Sequence, residues 1–126
     1  MKLFLFLTAT LAAQELKFAE LRDFKTTSGE DLASVRLGYR TYGTLNVAKT
    51  NAVLFPTWFG GKSENLQQFV GKDKILDPDR FFVILVDALS NGVSTRIEKP
   101  TIRDMVRSQH RLLTEHFGIA RLQGVI

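Results

Sequence analysis

The hydrophobic pattern of the chain opens with two segments that predict a pair of β-strands. Apolar residues mark the first segment at Phe18, Leu21 and Phe24, and the turn-forming stretch T-T-S-G-E-D follows it. In the second segment, mostly apolar side chains alternate with Arg or Gly. Val35, Leu37, Tyr39 and Thr41 occupy one set of alternate positions, and Arg36, Gly38 and Arg40 occupy the other. A period of two predicts a strand with one buried face, near the edge of a sheet.

Two later segments are apolar without interruption, which predicts strands that are covered on both faces. They are 52–55, closed by Pro56, and 81–86, followed by Asp87. Such runs are typical of parallel strands with helices on both sides of the sheet. Between them, E-N-L-Q-Q-F-V-G predicts a short helix with Leu66, Phe69 and Val70 facing inward.

The segment P-T-I-R-D-M-V-R-S-Q-H-R-L-L-T-E-H-F-G predicts the longest helix of the chain. Thr101 and Asp104 form a capping-box pair at its start, and Gly118 fits the position just past its end. We expect one apolar stripe, interrupted by Gln109, along Ile102, Met105, Val106, Leu112, Leu113 and Phe117. Residues 122–126 then begin another apolar strand.

The order of these elements predicts an α/β fold with a mostly parallel sheet and flanking helices. Active sites in such sheets lie beyond the carboxyl ends of the strands. The loops of interest are therefore P-T-W-F-G-G at 56–61, D-A-L-S-N-G-V-S-T at 87–95, and the residues that would follow Ile126.

Composition narrows the classes of function. The 126 residues are 44% apolar and 24% charged, as in one small globular domain. No cysteine is present, which excludes disulfides, thiolate metal sites and a cysteine nucleophile in this chain. The net charge of +4 is spread over scattered Lys and Arg residues, so we expect no nucleic-acid partner.

The first thirteen residues predict a signal peptide. One cation, Lys2, precedes an apolar run from Leu3 to Ala13 that ends in small residues, and the run is too short to span a bilayer. We therefore divide the chain into a signal peptide, 1–13, and a domain, 14–126, and expect a secreted or periplasmic protein with no membrane contact beyond export. The alternative is a first buried strand or helix of a cytoplasmic domain.

The longer sequence words of the chain resemble the homoserine O-acetyltransferase family. These words are Y-R-T-Y-G-T-L-N, N-A-V-L-F-P-T-W-F-G-G, L-D-P-D-R-F-F-V-I-L-V-D and T-I-R-D-M-V-R-S-Q. The resemblance covers about 16–126 and implies the N-terminal portion of an α/β-hydrolase fold, truncated before the nucleophile elbow. The strand at the end of the chain would lead into that elbow, G-x-S-x-G, and would lie inside the complete sheet.

The resemblance implies acyl transfer through a serine nucleophile, with the catalytic Ser, Asp and His all downstream of this chain. Acyl-CoA is the implied co-substrate, a small-molecule hydroxyl compound, homoserine, is the acceptor, and no metal or bound cofactor is implied. Within the chain it implies half of an oxyanion hole, for which the backbone N–H groups of Phe59 and Trp58 are the candidates. The side chains of Trp58 and Phe59 fit a pocket lining and packing under the loop equally well.

The flanking positions Thr57, Gly60, Ser90 and Asn91 are candidates for the pocket loop. Three observations bear on the acceptor. Family members usually carry a histidine where Thr57 stands, they have a longer segment after the fourth strand, and acetyl-CoA is cytoplasmic whereas this chain is predicted to be exported. A serine esterase of the same fold, with water as acceptor, is therefore the alternative activity, and an inactive truncated fragment is the non-enzymatic one. A small secreted basic binding module has only the charge in its favour.

The remaining polar candidates favour structural roles. His110 and His116 have no Ser or Asp partner at a meaningful spacing, and Ser90 and Ser94 lack the glycines of an elbow. Asp87 is expected to cap the following turn or to hydrogen-bond neighbouring loops.

Overall fold

The computed structural model describes residues 14–126, which form a five-stranded sheet with two helices. The predicted signal peptide, residues 1–13, lies outside the described residues. The elements in chain order are β1 (Lys17–Lys25), β2 (Asp31–Tyr42), β3 (Ala52–Pro56), α1 (Ser63–Leu66), β4 (Phe82–Val86), α2 (Ile102–Arg111) and β5 (Gly124–Val125). A 3-10 turn, Gln67–Phe69, extends α1, and a π-helical turn, Leu112–His116, extends α2.

The strand order in the sheet is β1-β2-β4-β3-β5. The pairs β1–β2 and β2–β4 are antiparallel, whereas β3–β4 and β3–β5 are parallel. The predicted α/β class is thus confirmed. The sheet of the described residues is mixed, because the first two strands form an antiparallel hairpin before the parallel part begins. Each parallel connection contains a helix, as a crossover requires.

The two uninterrupted apolar runs form the centre of the sheet, as predicted. All five residues of β4 are buried. Ile84 and Val86 face a core cluster that contains Leu112, Leu113 and Ile119 from the end of α2 and beyond, whereas Val83 and Leu85 face one that contains Leu66 and Val70. Apolar burial on both faces is what the run of Val, Ile and Leu requires.

The predicted apolar stripe of α2 is wrong at its first two turns. Ile102 is 79% exposed and Val106 is 57% exposed, whereas Asp104, Ser108 and Gln109 are buried. The polar face turns inward because the carboxylate of Asp104 accepts hydrogen bonds from the β1–β2 turn. The π-helical turn then changes the helix register, and Leu112 and Leu113 are buried as predicted.

Two aromatic residues outside α2 are also less buried than the hydrophobic pattern predicts. Phe18 is 46% exposed, and the guanidinium carbon of Arg36 lies 4.6 Å from the centre of its ring. Phe69 is 37% exposed and its ring lies 5.7 Å from that of Phe55.

The two ends of the long helical segment agree with the sequence prediction, since Thr101 forms a capping box at its start and Gly118 has a left-handed conformation after its end. Within residues 14–126, no helix has both the length and the apolar character needed to cross a membrane.

Candidate active site

Two loops lie side by side at the carboxyl edge of the parallel strands. One follows β3 and begins at Thr57, and the other follows β4 and begins at Asp87. The β3–β4 register pairs Pro56 with Val86, so both loops leave the sheet at the same level. The N–H of Thr57 continues the ladder by donating to the carbonyl oxygen of Val86 at 3.0 Å.

The side chain of Asn91 connects these two loops. Its Nδ2 donates to Thr57 Oγ1 and to the carbonyl oxygen of Trp58, each at 2.8 Å. Its Oδ1 accepts from the N–H of Gly60 at 3.3 Å. Thr57 Oγ1 also accepts from the N–H of Ala88 at 3.1 Å. Asn91 and Thr57 are both buried, so their polar groups are used within the protein.

Residues 58–61 form a tight turn in which two backbone N–H groups have no acceptor among the described residues. The N–H of Gly61 donates to the carbonyl oxygen of Trp58 at 2.9 Å, and Gly60 has a φ of 74°, which glycine adopts without strain. Among residues 14–126 no acceptor contacts the N–H of Trp58 or of Phe59. Phe59 is 98% exposed and Trp58 is 49% exposed. Both residues thus lie at the surface, and neither amide has an acceptor within the described residues.

Asp87 fixes the loop after β4 and also the start of α1. It is 2% exposed, and its carboxylate accepts from the N–H groups of Ser63 and Val93. Its carbonyl oxygen accepts from Ser94 Oγ, which in turn accepts from the N–H of Gly38 at 2.9 Å. Asp87 thus hydrogen-bonds the neighbouring loops, which is one of the two roles expected for it.

An open cavity of about 200 Å³ lies beside this network. Its lining includes Arg40, Ser63, Asp87 and Val93 and contains none of residues 57–60. The cavity is therefore separate from the amides of the turn.

The structure places Ser90 in a structural role. Its φ is 71°, its Oγ accepts from the N–H of Ile97 at 3.1 Å, and its N–H donates to the carbonyl oxygen of Thr95. Ser94 lies buried under the same loop. Neither hydroxyl has a histidine among its hydrogen-bond partners in the described residues, so neither resembles an activated nucleophile.

The two histidines lie on the helical segment and contact other parts of the molecule. Nε2 of His116 lies 2.8 Å from the hydroxyl of Tyr39, and burial raises the pKa of that hydroxyl. His110 is exposed next to Val106 and Leu113, along an apolar depression. The described residues contain no group of three or more His, Asp or Glu side chains that could hold a metal ion.

Sequence reasoning found the two loops but did not find what holds them together. The contact of Asn91 with Thr57 spans 34 positions, and that of Asp87 with Ser63 spans 24. The only available signal was the prediction that both apolar runs form parallel strands, whose carboxyl ends lie at one edge of the sheet.

Comparison with known proteins identifies the family. No family model matches the chain. The ethyl acetate hydrolase of Pseudomonas veronii is 34% identical over 111 aligned positions, which include 78% of this chain and 32% of the hydrolase. The homoserine O-acetyltransferase of Geotalea uraniireducens is 35% identical over 133 aligned positions, which include 82% of this chain and 36% of that enzyme. The chain belongs to the homoserine O-acetyltransferase-like family of α/β hydrolases.

Solved structures of this family show the same fold. The acetyl esterase MekB superposes with a TM-score of 0.82 at 31% identity, over 88% of this chain and 36% of that one. The homoserine O-acetyltransferase of Bacillus anthracis superposes with a TM-score of 0.70 at 27% identity, over 90% of this chain and 40% of that one. The chain spans about a third of the length of the curated relatives it matches.

Proposed function

We propose that residues 14–126 supply the oxyanion-hole loop of a serine esterase that hydrolyses short acyl esters. The nucleophile, its histidine base and the orienting carboxylate belong to the sequence that follows Ile126. The family relationship supports this activity, because the relatives of this chain include both esterases and acyltransferases.

The register of β5 against β3 is the observation that carries this proposal. Gly124 pairs with Val53 and Val125 pairs with Leu54, and the N–H of Ile126 donates to the carbonyl oxygen of Leu54. If the parallel register continues, the second position after Ile126 falls opposite Thr57. A strand-to-helix elbow that follows β5 would then lie next to the N–H groups of Trp58 and Phe59.

The lengths of the alignments favour an esterase over an acetyltransferase. For the Pseudomonas veronii hydrolase, 78% of 126 residues is about 98, so about 13 of the 111 aligned positions have no counterpart in this chain. For the Geotalea uraniireducens acetyltransferase, 82% is about 103, so about 30 of the 133 positions have none. Within the aligned region, the chain thus lacks more positions of the acetyltransferase than of the esterase.

The proposed reaction uses water as the acyl acceptor. The serine oxygen attacks the ester carbonyl while the histidine takes the serine proton, and that proton then leaves with the alcohol. Water, deprotonated by the same histidine, attacks the acyl-enzyme. The bond to the serine oxygen then breaks, the histidine returns the proton to that oxygen, and the carboxylic acid is released. In both steps the carbonyl oxygen becomes an oxyanion, which the N–H groups of Trp58 and Phe59 would stabilise by several kcal/mol.

The experiment uses the longest product of the gene that includes residues 14–126, called the gene product below. It is purified and tested for release of p-nitrophenol from p-nitrophenyl acetate. It is also labelled with a fluorophosphonate, and the labelled residue is located by mass spectrometry. We expect turnover and a labelled serine after Ile126 within G-x-S-x-G. Absence of both, or a coding sequence without this elbow after Ile126, would refute the proposal.

Homoserine O-acetyl transfer is the second candidate, because acetyltransferases are among the relatives. In that case acetyl-CoA is the co-substrate and no other cofactor is required. The same preparation is therefore given acetyl-CoA with and without L-homoserine. Release of free CoA that depends on homoserine, at a rate above ester hydrolysis, would favour the transferase.

Export through residues 1–13 is part of the proposal, because a periplasmic or secreted enzyme would not have access to cytoplasmic acetyl-CoA. Mass measurement of the amino terminus of the mature protein tests this. We expect cleavage after Ala12 or Ala13, and an intact Met1 would contradict export by this segment.

A further inference from the structure

We propose that Asn91 is a positioning residue that fixes the oxyanion-hole loop, with Thr57 as its partner. The proposal rests on the proposed function, since it assigns Trp58 and Phe59 as the donors that must be held. Asn91 acts on them through their loop and does not itself touch the substrate.

The three hydrogen bonds of Asn91 join residues that lie on both sides of the two donor N–H groups along the chain. On one side Nδ2 binds Thr57 Oγ1 and the carbonyl oxygen of Trp58, and on the other side Oδ1 binds the N–H of Gly60. The N–H groups of Trp58 and Phe59 lie between these anchored points and have no acceptor of their own among residues 14–126. The direction of these two donors is therefore set by neighbouring bonds, and three of these bonds converge on the side chain of Asn91.

Only a primary amide provides this combination of groups. Two N–H donors meet two oxygen acceptors, and one oxygen meets an N–H donor, which matches the donor and acceptor set of asparagine. The opposite amide orientation would place Oδ1 against the carbonyl oxygen of Trp58, so the network determines which atom is nitrogen. An aspartate at position 91 would lose both donors and repel that carbonyl oxygen.

Burial makes the arrangement rigid. Asn91 is 7% exposed and Thr57 is 9% exposed, so water cannot easily replace their bonds. Thr57 Oγ1 is in turn held by the N–H of Ala88, directly after β4 and Asp87. The exposed turn is thereby tied to the centre of the sheet. Preorganised donors need this kind of support, because a displacement of about 1 Å can lower a rate about 100-fold.

The test compares two asparagines in the gene product. Asn91→Ala removes all three hydrogen bonds of this side chain, and Asn91→Asp removes the two that Nδ2 donates. Asn46→Ala and Asn46→Asp are the matched controls, because Asn46 makes a similar pair of bonds with Thr50 in the loop between β2 and β3, at the other end of the sheet. Thr57→Val gives an independent variant that removes the shared acceptor and keeps the side-chain shape.

Two quantities are measured on each variant. The first is kcat and KM for p-nitrophenyl acetate, and the second is hydrogen exchange at the amides of Gly60 and Gly61. We expect kcat to fall about 10- to 100-fold for the Asn91 variants with KM changed less than about threefold. Exchange at the two amides should rise, and Thr57→Val should change both quantities in the same direction. The Asn46 variants should change neither.

The outcomes separate this inference from the proposed function. Unchanged exchange at Gly60 and Gly61 in Asn91→Ala overturns the positioning role, whether or not the wild-type protein hydrolyses esters. Faster exchange with unchanged kcat also overturns it, because the loop would then be free without consequence for catalysis. A wild-type protein with neither turnover nor a labelled serine refutes only the proposed function, and the exchange data still decide whether Asn91 holds the loop.

Discussion

The carboxylate of Asp104 binds Thr27, which lies 77 positions earlier in the chain. Oδ1 of Asp104 accepts from both the N–H and the hydroxyl of Thr27, each at 2.7 Å. Its Oδ2 accepts from the N–H and hydroxyl of Thr101 at the start of α2. One fully buried carboxylate thus caps α2 and attaches it to the β1–β2 turn.

Replacing Asp104 should destabilise the protein. We expect Asp104→Ala in the gene product to lower the free energy of unfolding by about 2–3 kcal/mol, because buried donors lose a charged acceptor and a helix cap is lost. The control is Asp79→Ala, since the Asp79 side chain is exposed and makes no hydrogen bond among the described residues. Denaturant unfolding of both variants checks this, and equal losses would contradict the role of Asp104.

The same carboxylate should make stability depend on acid. Burial raises the pKa of Asp104, but the hydrogen bonds from Thr27 and Thr101 outweigh burial and hold the pKa below its usual value. A lowered folded-state pKa means that the unfolded chain binds the proton more readily. The stabilisation is therefore present above the unfolded-state pKa of about 4 and is lost as the pH falls through the folded-state value.

Unfolding of wild type and Asp104→Asn between about pH 7 and pH 2.5 measures this dependence. We expect the difference in unfolding free energy between them to shrink below about pH 4. A difference that is constant over this range would show that the charge of Asp104 is not what stabilises the fold. Glu115, whose pKa is lowered by its hydrogen bonds to Arg111, is present in both proteins and cancels in the comparison.

Gly92 and Gly29 should respond differently to alanine. Both have positive φ, 50° and 94°, so alanine is strained at each. A Cβ at Gly29 meets no atom within 4 Å, whereas one at Gly92 lies 2.5 Å from Oδ2 of the buried Asp87. We expect Gly29→Ala to cost about 1–2 kcal/mol and Gly92→Ala about 3 kcal/mol or more. Thermal unfolding of the two variants decides, and equal melting temperatures would contradict the contact with Asp87.

Local signals in the sequence predicted much of the fold. The central strands β3 and β4 follow from unbroken apolar runs, and the start of α2 follows from Thr101 and Asp104, which are three positions apart. These features depend on neighbouring residues, so a pattern along the chain contains them.

Features that depend on distant partners were not predicted. The predicted apolar stripe through Ile102 and Val106 was wrong because Asp104 hydrogen-bonds Thr27, which is distant in sequence, and the polar face of α2 therefore turns inward. The bonds of Asn91 to the loop after β3 could not be predicted because no spacing rule relates position 91 to position 57. The two loops were predicted from the topology, whereas the side chain that joins them is found only in the three-dimensional structure.

The histidines of this chain should not be required for catalysis. His116 is hydrogen-bonded to Tyr39, and His110 is exposed on α2. Neither histidine forms a hydrogen bond with the described loops at 57–61 or 87–95. We expect His110→Gln and His116→Gln to keep kcat for p-nitrophenyl acetate within about twofold of wild type, whereas loss of a catalytic base lowers it about 100-fold or more. A drop of that size at either position would place the base in this chain.

Residues 14–126 expressed alone should aggregate or fold only in part, and should not hydrolyse esters. Among these residues the second edge of β5 pairs with no strand, and Val125 and Val106 are 61% and 57% exposed near one apolar depression. Unpaired apolar edges promote aggregation. Val106→Lys with Val125→Lys should therefore raise the soluble fraction. Val47→Lys, at a fully exposed loop position outside this surface, should not. Centrifugation measures the soluble fraction of each variant, and size-exclusion chromatography measures its aggregation state. A monodisperse monomer of unmodified residues 14–126 that melts cooperatively would contradict the expected aggregation.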